Sequence, residues 1–345
     1  FEHILILTHR PVVSDGWYDD FGKIFYDTDY VFGSKTKGED ISHLIDTDKK
    51  FVYFASMQDL RGSESVGGKF DKNDEIFLTK WDFVAIDEAH EGTLTKLGQA
   101  VIDTITDLSD NPKILRLSGT PFNLLDKFKE DEIYAWDYVM EQRAKLEWNM
   151  AHFGDPNPYA ALPELHIFTY NLDKLIPGYM DVEDSAFNFR EFFRTWTGNV
   201  QKDFKPMPDG TLVGDFVHKT DVKKFLDLMC ASDDKSNYPF STQEYREFFR
   251  HSLWILPGVK EAKALSALLK EHSVFGSGAF NIVNVAGNGD EEIDSRDALD
   301  AVRRAFGDNP DETYSITLSC GRLTTGVTVP EWTAVFMLAG TFSTS

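Results

Sequence analysis

A chain of 345 residues, 42% of them hydrophobic, has material for two domains of ordinary size, each able to bury a core of its own, which excludes a small stapled module. Its 35 basic and 57 acidic residues leave a net charge of −22, which disfavours a grip on nucleic acid through bulk electrostatics, because such binding scales with the phosphates neutralised, and leaves any nucleic-acid path local. Cys230 and Cys320 stand far apart without metal-ligand spacing, and no apolar run approaches the roughly 20 residues of a membrane span, so the expectation is a cytoplasmic protein without disulfides, zinc or a membrane partner.

The opening stretch FEHILILTH carries no basic leader and no small-residue cleavage site, so it reads as a buried strand and not as a signal sequence. Phe1 as a first residue reads as the mark of an excised piece. Short apolar runs at 4–7, 51–55, 83–86, 114–117 and 165–168 each have the length of a buried strand, and polar loops opening amphipathic stretches separate them. Strands alternating with helical segments predict a mostly parallel, doubly wound α/β sheet over residues 1–171.

From 172 to 250 the character changes to aromatic and charged, as in FNFREFFRTW and STQEYREFFR, predicting a helical connector or insertion. Its aromatic stripe reads as a packed core face more readily than as a base-stacking platform. The alternating pattern resumes at 253–256, followed by the amphipathic helix GVKEAKALSALLKEH and further strand candidates at 281–285, 315–318 and 333–338. A second α/β domain is therefore expected over 251–345, unfinished at its end.

The chemistry concentrates in WDFVAIDEAH, residues 81 to 90, where an apolar strand delivers Asp87 and Glu88 to its carboxyl end, the edge at which open α/β sheets place ligands. Two adjacent carboxylates there suit a nucleotide site: one holds Mg2+ through water and the next orients an attacking water. The plainer reading is a solvated turn or a helix cap. Ser118, Gly119 and Thr120 in ILRLSGTPFN follow another buried strand, as do Thr324, Thr325, Gly326 and Thr328 in GRLTTGVTVPEW. LILTHRP ends in Thr8, His9 and Arg10, and FASMQDLRG carries Ser56, Gln58 and Arg61.

As an ordered series these segments resemble the motifs of superfamily-two DEAD/DEAH-box helicases, in particular restriction-type ATP-dependent DNA translocases. The resemblance implies two RecA-like domains, with Asp87 coordinating Mg2+, Glu88 as catalytic base for ATP hydrolysis and His90 linking the nucleotide site to the coupling loop of Ser118, Gly119 and Thr120. It implies nucleic-acid contacts from Thr8, Arg10, Ser56, Gln58, Arg61, Thr324 and Thr325, and approach to ATP by Gly326 and Thr328, although many members carry an acidic residue where Thr328 stands. The 253–257 segment with its following helix resembles the fourth, structural motif.

No G-x-x-x-x-G-K-[ST] loop occurs; GSESVGGKF at 62–70 lacks the spacing and the final hydroxyl. In the family that loop precedes the first of these motifs, and an arginine finger follows the last, so residues 1–345 alone are expected to be inactive. The function expected of the whole protein is ATP-dependent movement on double-stranded DNA in a restriction-modification or related system, with nuclease or methyltransferase domains or subunits as partners. The alternatives are an RNA helicase or chromatin-type remodeller, and an inactive helicase-like scaffold that binds proteins.

Overall fold

Strict alternation of apolar side chains along the first strands sets the layering. The computed structural model describes residues 1–9, 11–47, 49–89, 95–121, 124–170, 172, 176–180, 187–199, 211–232, 238–290, 298–324 and 327–340. The chain divides into two compact units, one built on Phe1–His166 and the other opening at Ile167.

The first unit runs β1 (His3–Thr8), α1 (Pro11–Ile24), β2 (Val31–Ser34), α2 (Ile41–Ile45), β3 (Phe51–Ser56), α3 (Met57–Leu60), α4 (Asp74–Leu78), β4 (Phe83–Ile86), α5 (Lys96–Asp107), β5 (Lys113–Arg116) and α6 (Tyr138–Ala151). Its five strands are all parallel, in the order β2-β3-β1-β4-β5, with Leu7 opposite both Ala55 and Ile86. Leu5, Leu7, Phe51, Tyr53, Val84 and Ile86 join one core with residues of α2, α4 and α5. The intervening Ile6, Val52, Phe54 and Ala85 form a second cluster with Trp17, Tyr18 and Phe21 of α1. Period-two alternation thus feeds both faces of one sheet, each buried side chain contributing about 1.5–3 kcal/mol.

Two expectations about strands need correction. β2 escaped the sequence reading because Gly33 and Ser34 dilute its apolar signal; a Cβ at Gly33 would lie 2.3 Å from Leu44 Cδ1, so the glycine lets α2 seat against the strand. The run at 165–168 forms no strand: Leu165 is 64% and Ile167 79% exposed, and apolar residues alone do not make a strand without a ladder partner. At the other edge, β5 bonds among the described residues only to β4, and its Ile114 and Leu115 remain 37% and 44% exposed.

The glycines at 62–70 close a tight loop and do not cradle phosphate. Lys69 and Phe70 N–H groups both donate to Gly62 O at 3.0 Å, and Gly68 N–H donates to Ser63 O at 2.8 Å. A Cβ at Gly68 would sit 2.3 Å from the Gly62 backbone, so only glycine fits where the loop crosses itself.

The second unit contains α7 (Phe189–Phe192), α8 (Lys219–Met229), α9 (Gln243–Phe248), β6 (His251–Ile255), α10 (Val259–Glu271), β7 (Phe280–Asn284), α11 (Ala298–Phe306), β8 (Tyr314–Ser319) and β9 (Ala334–Met337). Its four strands are parallel in the order β7-β8-β6-β9. One core unites Trp254, Ile316 and Leu318 with Leu265 and Leu269 of α10 and with Phe192, Phe193, Phe225 and Phe240 from the 172–250 stretch. Phe240 alone meets the rings of Phe249, Trp254, Phe275, Phe280 and Phe336. These aromatic residues are therefore core, as their spacing predicts. On the opposite side, Val285 joins Ala298, Val302 and Phe306 of α11, with Leu323 and Trp332 against them.

The chain thus has the α/β class expected: two parallel sheets of RecA-like type with helical material packed on them. Among the described residues no helix is long and apolar enough to cross a membrane.

Candidate functional site

The order of the first sheet locates a crevice. The chain leaves β1 through α1 and returns at β2, beyond β3, whereas it leaves β4 through α5 and returns at β5 on the other side. Adjacent strands β1 and β4 thus send their chains in opposite directions, and the space outside their carboxyl ends is where such sheets bind ligands.

Asp87 and Glu88 stand at that edge. The ladder continues past the end of β4: Asp87 N–H donates to Leu7 O at 2.8 Å, Leu117 N–H to Ile86 O at 2.9 Å, and Ala89 N–H to Leu117 O at 3.0 Å. The backbone around the two carboxylates is therefore fixed by β1 on one side and by the loop after β5 on the other. Both side chains are half-buried. The Asp87 carboxylate accepts from two donors, the Glu88 amide at Oδ1 (2.9 Å) and the Trp17 indole N–H at Oδ2 (2.8 Å).

Glu88 adopts φ 47°, a left-handed conformation that costs a non-glycine residue about 1–2 kcal/mol. Non-glycine residues held in such conformations cluster at functional sites. Here the bonds on either side, at Asp87 and Ala89, hold the backbone in place.

The loop after β5 makes its own local turn, Thr120 N–H donating to Ser118 Oγ at 3.1 Å. Ser118 and Thr120 are half-buried and Gly119 is exposed, with open space where a Cβ would stand. Just before the loop, Arg116 places its guanidinium 5.5 Å from the centre of the Phe128 ring, and burial pushes its pKa down.

The residues expected to touch nucleic acid divide by exposure. Gln58 is exposed and Arg61 half-buried. Thr8 and Ser56, paired across β1 and β3, are both buried, and Ser56 Oγ accepts the Asp59 N–H at 3.2 Å as the cap of α3. Both lie at strand ends in a sheet buried on both faces, which turns their side chains toward the cores. Arg10 and His90 lie outside the described residues.

The loop beyond Gln58 is braced by charge. Asp59 accepts from Lys72 and, at 3.1 Å, from Asn73, and Lys35 lies at 3.5 Å. Burial raises the Asp59 pKa, but these donors and cations outweigh it and hold the carboxyl below its ordinary value.

In the second unit, the loop after β8 carries Thr324, which is exposed and donates its hydroxyl to Gly321 O at 2.9 Å. Ser319 Oγ donates to Arg322 O at 2.5 Å, and Leu323, at φ 60°, turns into the α11 cluster. Thr328 is exposed; Thr325 and Gly326 lie outside the described residues.

Sequence reasoning missed Trp17. Its indole reaches a carboxylate 70 positions away, and a tryptophan among aromatics at helical spacing signals only a core face.

Hard oxygen ligands of the Asp87 type suit Mg2+. Among the described residues no group of three or more His, Cys, Asp or Glu side chains forms a metal cage. A lone carboxylate fits an ion that keeps much of its shell as water and phosphate oxygens.

Residues 1–123 match the family model described as "Type III restriction enzyme, res subunit". A protein of Mycoplasma pneumoniae (strain ATCC 29342 / M129 / Subtype 1), described as the C-terminal part of a candidate type II restriction enzyme and methyltransferase, is 27% identical over 395 aligned positions. That alignment covers 97% of this chain and 52% of the relative, so the chain spans about half the relative's length. Over residues 1–123, within the first parallel sheet and its helices, the chain is therefore similar to the type III restriction enzyme res-subunit family.

Proposed function

We propose that this chain is the motor part of an ATP-dependent DNA translocase or helicase of a restriction-modification system. The observation that carries the proposal is the Asp87–Glu88 pair at the β1/β4 crevice, tied through the Ala89–Leu117 hydrogen bond to the Ser118–Thr120 loop. Asp87 would hold Mg2+ through water; the ion, when bound, supplies positive charge to the phosphate oxygens of ATP. The Glu88 carboxylate would accept a proton from the attacking water.

Double-stranded DNA is the proposed track, contacted through Arg10, Gln58 and Arg61 in the first unit and Thr324 and Thr325 in the second. The relative's description supports methyltransferase and nuclease functions elsewhere in the whole protein. Among the described residues β5 pairs only with β4, and with Ile114 and Leu115 exposed that edge could receive a further strand.

ATPase assays on the full-length protein test this reading. Stimulation by double-stranded DNA, abolished by Asp87→Asn and Glu88→Gln, is expected. Stimulation by RNA alone would move the assignment to an RNA helicase, and no hydrolysis with any nucleic acid would leave a scaffold.

A further inference from the structure

We infer that Trp17 is a positioning residue for the Asp87 carboxylate, coupling its orientation to α1. The inference rests on the reading of Asp87 as the Mg2+-holding residue. Asp87 receives one donor from its own strand end, the Glu88 amide at 2.9 Å, and one from a distant element, the Trp17 indole at 2.8 Å. The first fixes where Oδ1 lies, and the second fixes the plane of the carboxylate by fixing Oδ2. An indole N–H only donates, so Asp87 Oδ2 is the acceptor and the bond selects a single orientation of the carboxylate.

The donor is itself rigidly held. Trp17 stacks obliquely on Phe21 at 5.8 Å, and Phe21 and Tyr18 meet Phe54 of β3 edge-on at 5.5 and 5.4 Å. These contacts pack α1 against the sheet and place the indole beside Asp87.

Topology gives the contact a second meaning. α1 starts at Pro11, shortly after β1 ends at Thr8, whereas Asp87 directly follows β4. The hydrogen bond therefore spans the crevice between the connections that leave β1 and β4 in opposite directions. A load on the loop before α1 reaches the carboxylate through this bond, and a cation drawing on Oδ2 reaches α1 by the same route.

The test is Mn2+ binding with ADP, followed by electron paramagnetic resonance on the full-length protein without turnover. Trp17→Phe is expected to weaken Mn2+ binding about tenfold, the scale of a hydrogen bond to a charged group. The tryptophan isostere 3-benzothienylalanine at position 17, which keeps the ring shape and removes the N–H, is expected to do the same without altering Tm. Phe21→Leu, which loosens the same aromatic cluster but keeps the indole N–H, is expected to lower Tm and to weaken Mn2+ binding less than the isostere does. Unchanged Mn2+ affinity in the isostere protein, with normal binding by the wild type, overturns the inference alone. No Mn2+·ADP binding by the wild type overturns the reading of Asp87 and the inference with it.

Discussion

The amide of Ala89 donates to the carbonyl of Leu117 at 3.0 Å, joining the carboxylate-bearing turn after β4 to the hydroxyl-bearing loop after β5. A displacement of either segment is thereby transmitted to the other through backbone, which side-chain substitution leaves intact. This makes the roles of the side chains on the two segments separable by mutation.

Glu88→Gln is expected to lower the DNA-stimulated ATPase rate of the full-length protein about 10²–10⁴-fold, the range removed with a general base. ATP binding, followed by a fluorescent analogue, is expected to change little, because the amide keeps the side chain's volume. An activity loss below tenfold would assign the proton to another group.

Ser118→Ala removes the acceptor of the Thr120 N–H but leaves the Ala89–Leu117 bond. ATP hydrolysis is expected to persist within a few-fold while DNA movement, read by displacement of a triplex-forming strand, is lost. Parallel loss of both activities would place Ser118 in the chemistry and not in its coupling.

Asn73 caps the start of α4 at φ 64° and donates to Asp59 at 3.1 Å and Ser63 at 3.0 Å. Asn73→Ala is expected to cost about 2–4 kcal/mol in urea unfolding of the first unit, combining lost hydrogen bonds with left-handed strain. Asn73→Gly keeps only the first loss and should be about 1 kcal/mol milder. Equal costs would show that the backbone relaxes at this position.

His251 is buried at the start of β6, its Nε2 at 2.9 Å from Pro310 O and its Nδ1 at 2.9 Å from Ser315 Oγ. The carbonyl requires Nε2 to carry the proton, so Nδ1 accepts from the serine hydroxyl. Burial, the largest cause, pushes its pKa below the ordinary 6.5 despite the Pro310 bond. The unfolded chain therefore takes up a proton that the folded one refuses, and stability falls as pH drops below about 6.5, levelling off under the folded pKa. Thermal unfolding of the second unit between pH 8 and 5 should show this slope, and His251→Leu should lower stability while flattening it.

Much of this organisation is readable in the sequence because it is local. The runs around Leu5, Val52 and Val84 announce strands, and Asp-Glu-Ala-His after an apolar run announces a carboxylate pair at a sheet's edge. What depends on distant partners is not readable. The four residues of β2 include Gly33, whose role appears only once Leu44 is seen against it. The 165–168 run has strand composition and no ladder to join. Thr8 and Ser56 have the residue types of phosphate ligands, yet their pairing across β1 and β3 buries them. Trp17 belongs to the site only through a contact 70 residues distant.

The free margin of β5 also bears on how the polypeptide behaves at the bench. Among the described residues β5 has no ladder partner on the side away from β4, and such an edge flanked by the exposed Ile114 and Leu115 is a template for another strand. Residues 1–345 expressed in isolation should self-associate along that rim in a concentration-dependent way, and a charged replacement at Leu115 should keep them monodisperse.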